Sequence, residues 1–115
     1  MSIKRFKVGQ RMSQCVSCGE TVYLAGQVAD DSSQDITGQT RQVLTKIDGL
    51  LAEAGSDKSK LLSATIWLAD MRTFEQMNKI WDAWVSPGNT PARATVEAKL
   101  ARADLVVEIA VIAAK

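Results

Sequence analysis

The sequence predicts an α+β fold, a mixed sheet of about six strands with two helices packed on one face. Three observations carry this reading. Two segments place apolar side chains at helical spacing, and several short segments have the alternating or β-branched pattern of strands. Their order is strands, helix, strand, helix, strands. Helices that link strands of one sheet form right-handed crossovers, which put both helices on the same side.

Residues 3–7 form a short first strand, broken by residues 9–11. Residues 13–18 and 21–29 read as two strands around Gly19-Glu20, a hairpin. Residues 30–38 are rich in Ser and Asp and form a loop. Asp35 or Thr37 caps the helix that follows. Val43, Leu44, Ile47, Leu50, Leu51 and Ala54 make its apolar stripe, and Gly55 stands where a C-terminal cap belongs. A turn at residues 56–59 leads to a strand over residues 61–69. Leu62, Ala64, Ile66 and Leu68 form its apolar face; Ser63, Thr65 and Trp67 form the other. A second helix spans residues 73–85, with Thr73 and Gln76 as a capping box. Phe74, Met77, Trp81, Trp84 and Val85 mark its buried stripe. Residues 86–89, Ser-Pro-Gly-Asn, end it.

The last quarter of the chain carries the strongest chemical signal. Pro91 fixes an extended entry to a strand in which Arg93, Thr95 and Glu97 share one face. In the final strand Glu108 lies with Val106, Ala110 and Ile112, one carboxylate on an apolar face. Such a carboxylate is costly unless paired or hydrogen-bonded. The reading takes these two strands as neighbours, with a cation on one and a lone acid in the other.

Composition narrows the chemistry. The chain has 115 residues, enough for one domain over 1–115 with a real core. A formal charge of +1 gives no electrostatic footprint for nucleic acid. No apolar run is long enough to span a bilayer, and the N-terminal segment lacks the apolar core of a signal peptide, so a cytoplasmic protein is expected. The chain holds no histidine. Ser-His-Asp and Cys-His sites within one chain are therefore excluded. Cys15 and Cys18 form a C-x-x-C pair on a strand, where positions three apart face opposite ways. Two unlinked thiols are expected, because a zinc site would need two further ligands. The apolar residues within 22–28 and 106–112 leave a sheet face uncovered by helices. That implies a partner surface, most simply a closed homo-oligomer.

These residues also carry a resemblance. Pro91-Ala92-Arg93, Thr95-Val96-Glu97, Val107-Glu108-Ile109 and Ile112-Ala113 resemble the closing signature of the reactive intermediate deaminases, the RidA/YjgF family, also labelled endoribonuclease L-PSP. The segment Val22-Tyr23-Leu24-Ala25-Gly26-Gln27-Val28 is similar to the family's early strand and Gly-Gln turn. The resemblance covers nearly the whole chain. It departs at Arg11-Met12-Ser13, where many members carry Pro-Tyr or Pro-Ser. It departs again at Ala25 and Thr95, where many carry a hydroxyl residue and a cysteine.

The resemblance implies a chorismate-mutase-like homotrimer with sheets turned inward and sites in the clefts between subunits. It implies hydrolysis of small enamines or imines of 2-amino acids to 2-oxo acids and ammonia, without metal or cofactor. Arg93 would fork onto the substrate carboxylate, and Glu108 would hold or activate a water. Thr95 and the backbone near Gly26 and Gln27 would orient water or the imine nitrogen, and Met12 and Trp67 would wall the pocket. Three other readings stand beside it. They are a binding or sensor protein for 2-oxo acids, a ribonuclease suggested only by the older label, and a chorismate mutase, for which Arg93 lacks a cationic companion. Arg93 paired with Glu97 or Glu108 as a structural ion pair, and Lys46, Lys58, Lys60 and Lys79 as solvated surface, are the plainer alternatives. Gly26 fits a bend or close backbone approach in either case.

Overall fold

A computed structural model describes residues 1–115. Six strands form one mixed sheet: β1 (Ile3–Val8), β2 (Ser13–Cys18), β3 (Thr21–Leu24), β4 (Leu61–Leu68), β5 (Ala92–Glu97) and β6 (Val107–Ala114). Their order across the sheet is β1-β2-β3-β6-β4-β5. Only β4 and β5 are parallel. The helices α1 (Ile36–Glu53) and α2 (Phe74–Trp84) pack on one another and on one face of the sheet.

The helices form where the sequence places them. Asp35 is the N-cap of α1, and its carboxylate accepts the Gly38 N–H. At the other end Gly55 has φ of 81°, the left-handed conformation glycine tolerates. The Gly55 and Ser56 N–H groups then donate to the Ala52 and Leu51 carbonyls, which closes the helix as a Schellman cap. All six stripe residues of α1 are buried. The capping box expected on α2 does not form. A 3-10 turn at Met71–Thr73 precedes the helix, and the Thr73 hydroxyl donates back to the Asp70 carbonyl instead.

Three strand readings need correction. β5 and β6 are not neighbours, because β4 lies between them. β3 stops at Leu24 rather than continuing to residue 29; beyond it only Gln27 bridges to Ile109. Past the strand the backbone comes so close to Glu108 at Gly26 that an added Cβ would clash with its Oε2. Leu62 is 51% exposed, since the β4–β6 register shifts between Leu61 and Ser63 and turns Leu61 into the core instead. From Ala64 onward the expected alternation holds. Within residues 22–28, Val22 and Leu24 face the core, and Tyr23 stands on the open face.

One buried polar side chain ties the loops to this frame. Gln39, fully buried on α1, donates from its amide nitrogen to the carbonyls of Ser32, Gln34 and Asp104. Its amide oxygen accepts the Val106 N–H at 3.1 Å. The loop before α1 and the segment entering β6 are thus held by the same group.

Two outcomes test this frame. Gln39→Leu leaves the Val106 N–H and three carbonyls without their partner, and an unmet buried polar group costs about 1–3 kcal/mol. Urea denaturation should show a loss of about 3 kcal/mol, larger than for an ordinary surface change. Gly26→Ala should destabilise the fold by about 1–3 kcal/mol through overpacking against Glu108. Adding Glu108→Ala should return most of that loss in a double-mutant cycle; additive effects would refute the close approach.

Candidate functional site

The sheet register decides where the chemistry-bearing side chains point. Arg93 pairs with Ala64, and Thr95 with Ile66, both buried core residues. Arg93 and Thr95 therefore lie on the helix-covered face. The Arg93 guanidinium carbon sits 5.3 Å from the Trp81 ring centroid and 5.9 Å from that of Phe74. A guanidinium stacked on two aromatic faces is fixed in orientation while its N–H fork stays available. Arg93 makes no ion pair in the chain. Glu97, the partner considered for it, accepts the Met71 N–H instead.

A residue absent from the sequence reading belongs here. Phe74, Asn78 and Trp81 occupy one stripe of α2 by their spacing, so Asn78 lies between the two rings that flank Arg93. Asn78 Oδ1 and Thr95 Oγ1 are the two buried side-chain oxygens or nitrogens without a hydrogen-bond partner. A covered acceptor left unmet is unfavourable, and these two lie on the same side of the sheet as the Arg93 guanidinium. The available signal was a polar residue inside an otherwise aromatic stripe.

Glu108 is elsewhere. It pairs with Trp67, which pairs in turn with Val96, so all three share the open face of the sheet. Its carboxylate lies against Gly26 and takes part in none of the chain's four ion pairs. Within one chain the cation and the acid are thus on opposite faces, with β4 between their strands. The open face also carries Tyr23 and Val96, each 46% exposed, along with Ala110 and Ile112.

Met12, Gly26 and Gln27 come together in a cleft of about 620 Å³ between α1 and the β1–β2 hairpin; Arg93, Thr95, Trp67 and Glu108 do not line it. Gln27 is 2% exposed, and its amide nitrogen donates to Gln14 Oε1 and to the Ala25 carbonyl. Its backbone exchanges both hydrogen bonds with Ile109, next to Glu108. Gln27 is therefore committed to holding the Ala25-Gly26 bend. Lys46, expected as solvated surface, is part-buried and reaches the Val28 carbonyl and Asp30. Cys15 and Cys18 are both free, as the strand geometry implies. Burial pushes the Cys15 thiol up, with the Glu53 carboxylate adding to the effect.

Comparison with known proteins agrees with this architecture. The endoribonuclease L-PSP family profile matches residues 2–115. A RutC family protein of Haemophilus ducreyi is 46% identical over 112 residues, covering 97% of this chain and 96% of that one. A YjgF-family crystal structure from Neisseria meningitidis superposes with a TM-score of 0.97 at 45% identity, covering 100% and 96% of the two chains. A Rid-family protein of Yersinia pestis, itself described as of unknown function, superposes at 0.85 with 33% identity over 94% and 90%. With the family profile matching residues 2–115 and a relative 46% identical over 97% of this chain, the chain belongs to the RutC/YjgF/Rid family.

Proposed function

We propose that the protein hydrolyses small 2-imino acids, or the enamines in equilibrium with them, to 2-oxo acids and ammonia, in sites assembled between the subunits of a homotrimer. The observation that carries this reading is the separation of Arg93 from Glu108. Arg93 is braced by Trp81 and Phe74 and has no carboxylate partner. Glu108 stands on the other face beside Gly26. Side chains on opposite faces of one sheet meet a common ligand only if a second copy supplies one of them. The apolar open face gives that copy a surface to bury.

The chemistry follows from the groups. Arg93 holds the substrate carboxylate through two parallel N–H···O bonds. The protonated imine carbon is then electrophilic, and a water beside Glu108 adds to it while its proton passes to the carboxylate. Glu108 gives its proton to the carbinolamine nitrogen, the C–N bond breaks to release ammonia, and the carboxylate takes up the hydroxyl proton as the carbonyl forms. An imine hydrolyses unaided, so proton transfer worth about 10²–10⁴-fold and correct placement suffice. Trp67, in the same row as Glu108, walls the acid from bulk solvent.

Ammonia release from enzymatically generated 2-aminoacrylate or iminoleucine is the direct test. Arg93→Ala should lower kcat/KM by at least about 100-fold, since charged hydrogen bonds are worth about 1.5–3 kcal/mol each. Arg93→Lys should recover little, because one ammonium cannot reproduce the fork. Unchanged rates in Arg93→Ala would refute its role. Binding of 2-oxobutyrate without any turnover would instead identify a carboxylate sensor. Mixing inactive Arg93→Ala and Glu108→Ala chains should restore about a quarter of wild-type activity, because each mixed trimer rebuilds one intact site. No recovery in mixed assemblies would refute a shared site.

A further inference from the structure

The two helices leave a groove of about 320 Å³ between them. No sheet residue lines it, and it shares none of its lining with the cleft at Met12 and Gly26. Its floor is apolar, with Leu44 from α1 and Ile80 and Trp84 from α2. Leu44 is buried, whereas Ile80 and Trp84 are half-buried. The Trp84 indole is held from two sides. Its Nε1–H donates to Asp48 Oδ2 at 3.0 Å, and the Lys58 ammonium stands 5.3 Å from its ring centroid. Lys58, expected as solvated surface, is therefore half-buried against an aromatic ring. A half-exposed indole already fixed in place loses little freedom on contact, and such aromatic anchors are enriched at protein interfaces.

The walls give the sign of the partner. Arg41 and Lys58 line the groove, and no aspartate or glutamate does. Neither cation enters any of the chain's four ion pairs. Asp48, the acid bound to Trp84, already accepts the indole N–H. Two unpaired cations above an apolar floor complement carboxylates that flank apolar side chains. Arg41, Thr45 and Ala83 are exposed, so the groove opens broadly to solvent and does not enclose a free molecule. It suits side chains projecting from a larger surface. Two cations in a chain of formal charge +1 make no track for nucleic-acid phosphates. Two helices packed side by side accept a third that lays its apolar stripe in their groove. We propose that this groove docks an acidic amphipathic helix of a partner protein, with leucine-like side chains over Ile80 and Trp84 and carboxylates on Arg41 and Lys58. The groove lies on the helix side of the sheet, so it stays available when the open face is covered by other subunits.

Isothermal titration calorimetry of the full chain tests this with a designed helical probe. The probe is an acetylated, amidated peptide that repeats Leu-Glu-Glu-Leu-Leu-Ala-Glu, and its control carries Gln in place of every Glu. The acidic peptide should bind saturably, and the Gln peptide about ten-fold more weakly. Arg41→Glu and Ala83→Glu, both at exposed helical positions, should each weaken the acidic peptide about ten-fold while the circular dichroism spectrum stays that of the wild type. Lys99→Glu makes the same charge change as Arg41→Glu in the exposed loop before β6, and should leave binding unchanged. No saturable binding, equal binding of the two peptides, or wild-type binding by both groove variants would each overturn the proposal. A loss in Lys99→Glu as large as in Arg41→Glu would reduce the effect to net charge and overturn it as well. Phosphatidylglycerol vesicles that displace the peptide from the wild type would assign the groove to a membrane surface instead. None of these titrations reads turnover, so failure of imine hydrolysis would leave the proposal standing.

Discussion

The structure depends on one buried amide. Gln39 is fully buried, and both ends of its side chain are bonded, to three carbonyls on one side and the Val106 N–H on the other. No apolar residue of similar volume could replace it, because the loop before α1 and the entry to β6 both end in backbone groups with no strand partner there. Once Val106 is fixed, β6 enters the sheet in register with β4, and Trp67 faces Glu108. The hairpin side is fixed through Gln27, which bridges to Ile109 and holds the Ala25 carbonyl. Glu108 and Gly26 thus meet because two buried glutamines fix the segments that carry them.

The same topology sets where the acid and the cation can act. Two strands, β6 and β4, lie between β3 and β5, which puts β6 inside the sheet and leaves β5 at its edge. β6 is paired along its length to β4, with Glu108 opposite Trp67, and the Gln27 bridge to Ile109 brings Gly26 alongside it. The edge strand lets Arg93 lie over α2 with its fork accessible. Neither face alone brings both groups to one substrate. The apolar open face, the edge position of β5 and the divided chemistry are the features from which the shared site between identical chains is proposed.

Much of this was legible in the sequence because it is local. The stripe of α1, its Asp35 cap and its Gly55 terminator follow from spacing and from the conformations those residues favour. The faces of β5 follow from strict alternation, and Gly26 was readable as a close approach. What lay beyond reach was tertiary. Nothing in residues 21–29 says that the strand ends at Leu24 and that Glu108 packs against Gly26, since that carboxylate comes from the far end of the chain. Consecutive strands usually lie side by side, so β5 and β6 looked like neighbours until β4 was seen between them. Thr73 and Gln76 had the letters of a capping box, but a 3-10 turn had already placed the Thr73 hydroxyl on the Asp70 carbonyl. Asn78 and Gln39 stood as polar residues inside apolar stripes, and only burial shows that one is bonded and the other is not.

That last contrast separates framework from function here. Gln27 and Gln39 are buried polar residues whose amide nitrogens are fully used within the chain, and they hold backbone in place. Thr95 and Asn78 are half-buried residues, each with one covered oxygen left unmet, and Arg93 makes no ion pair in the chain. Leaving such groups unmet is unfavourable in the isolated chain, yet replacing them with apolar residues would be simple in packing terms. In the proposed site, Arg93 is the member of this group whose missing partner is a substrate carboxylate, and its place on the edge strand β5 suits that role.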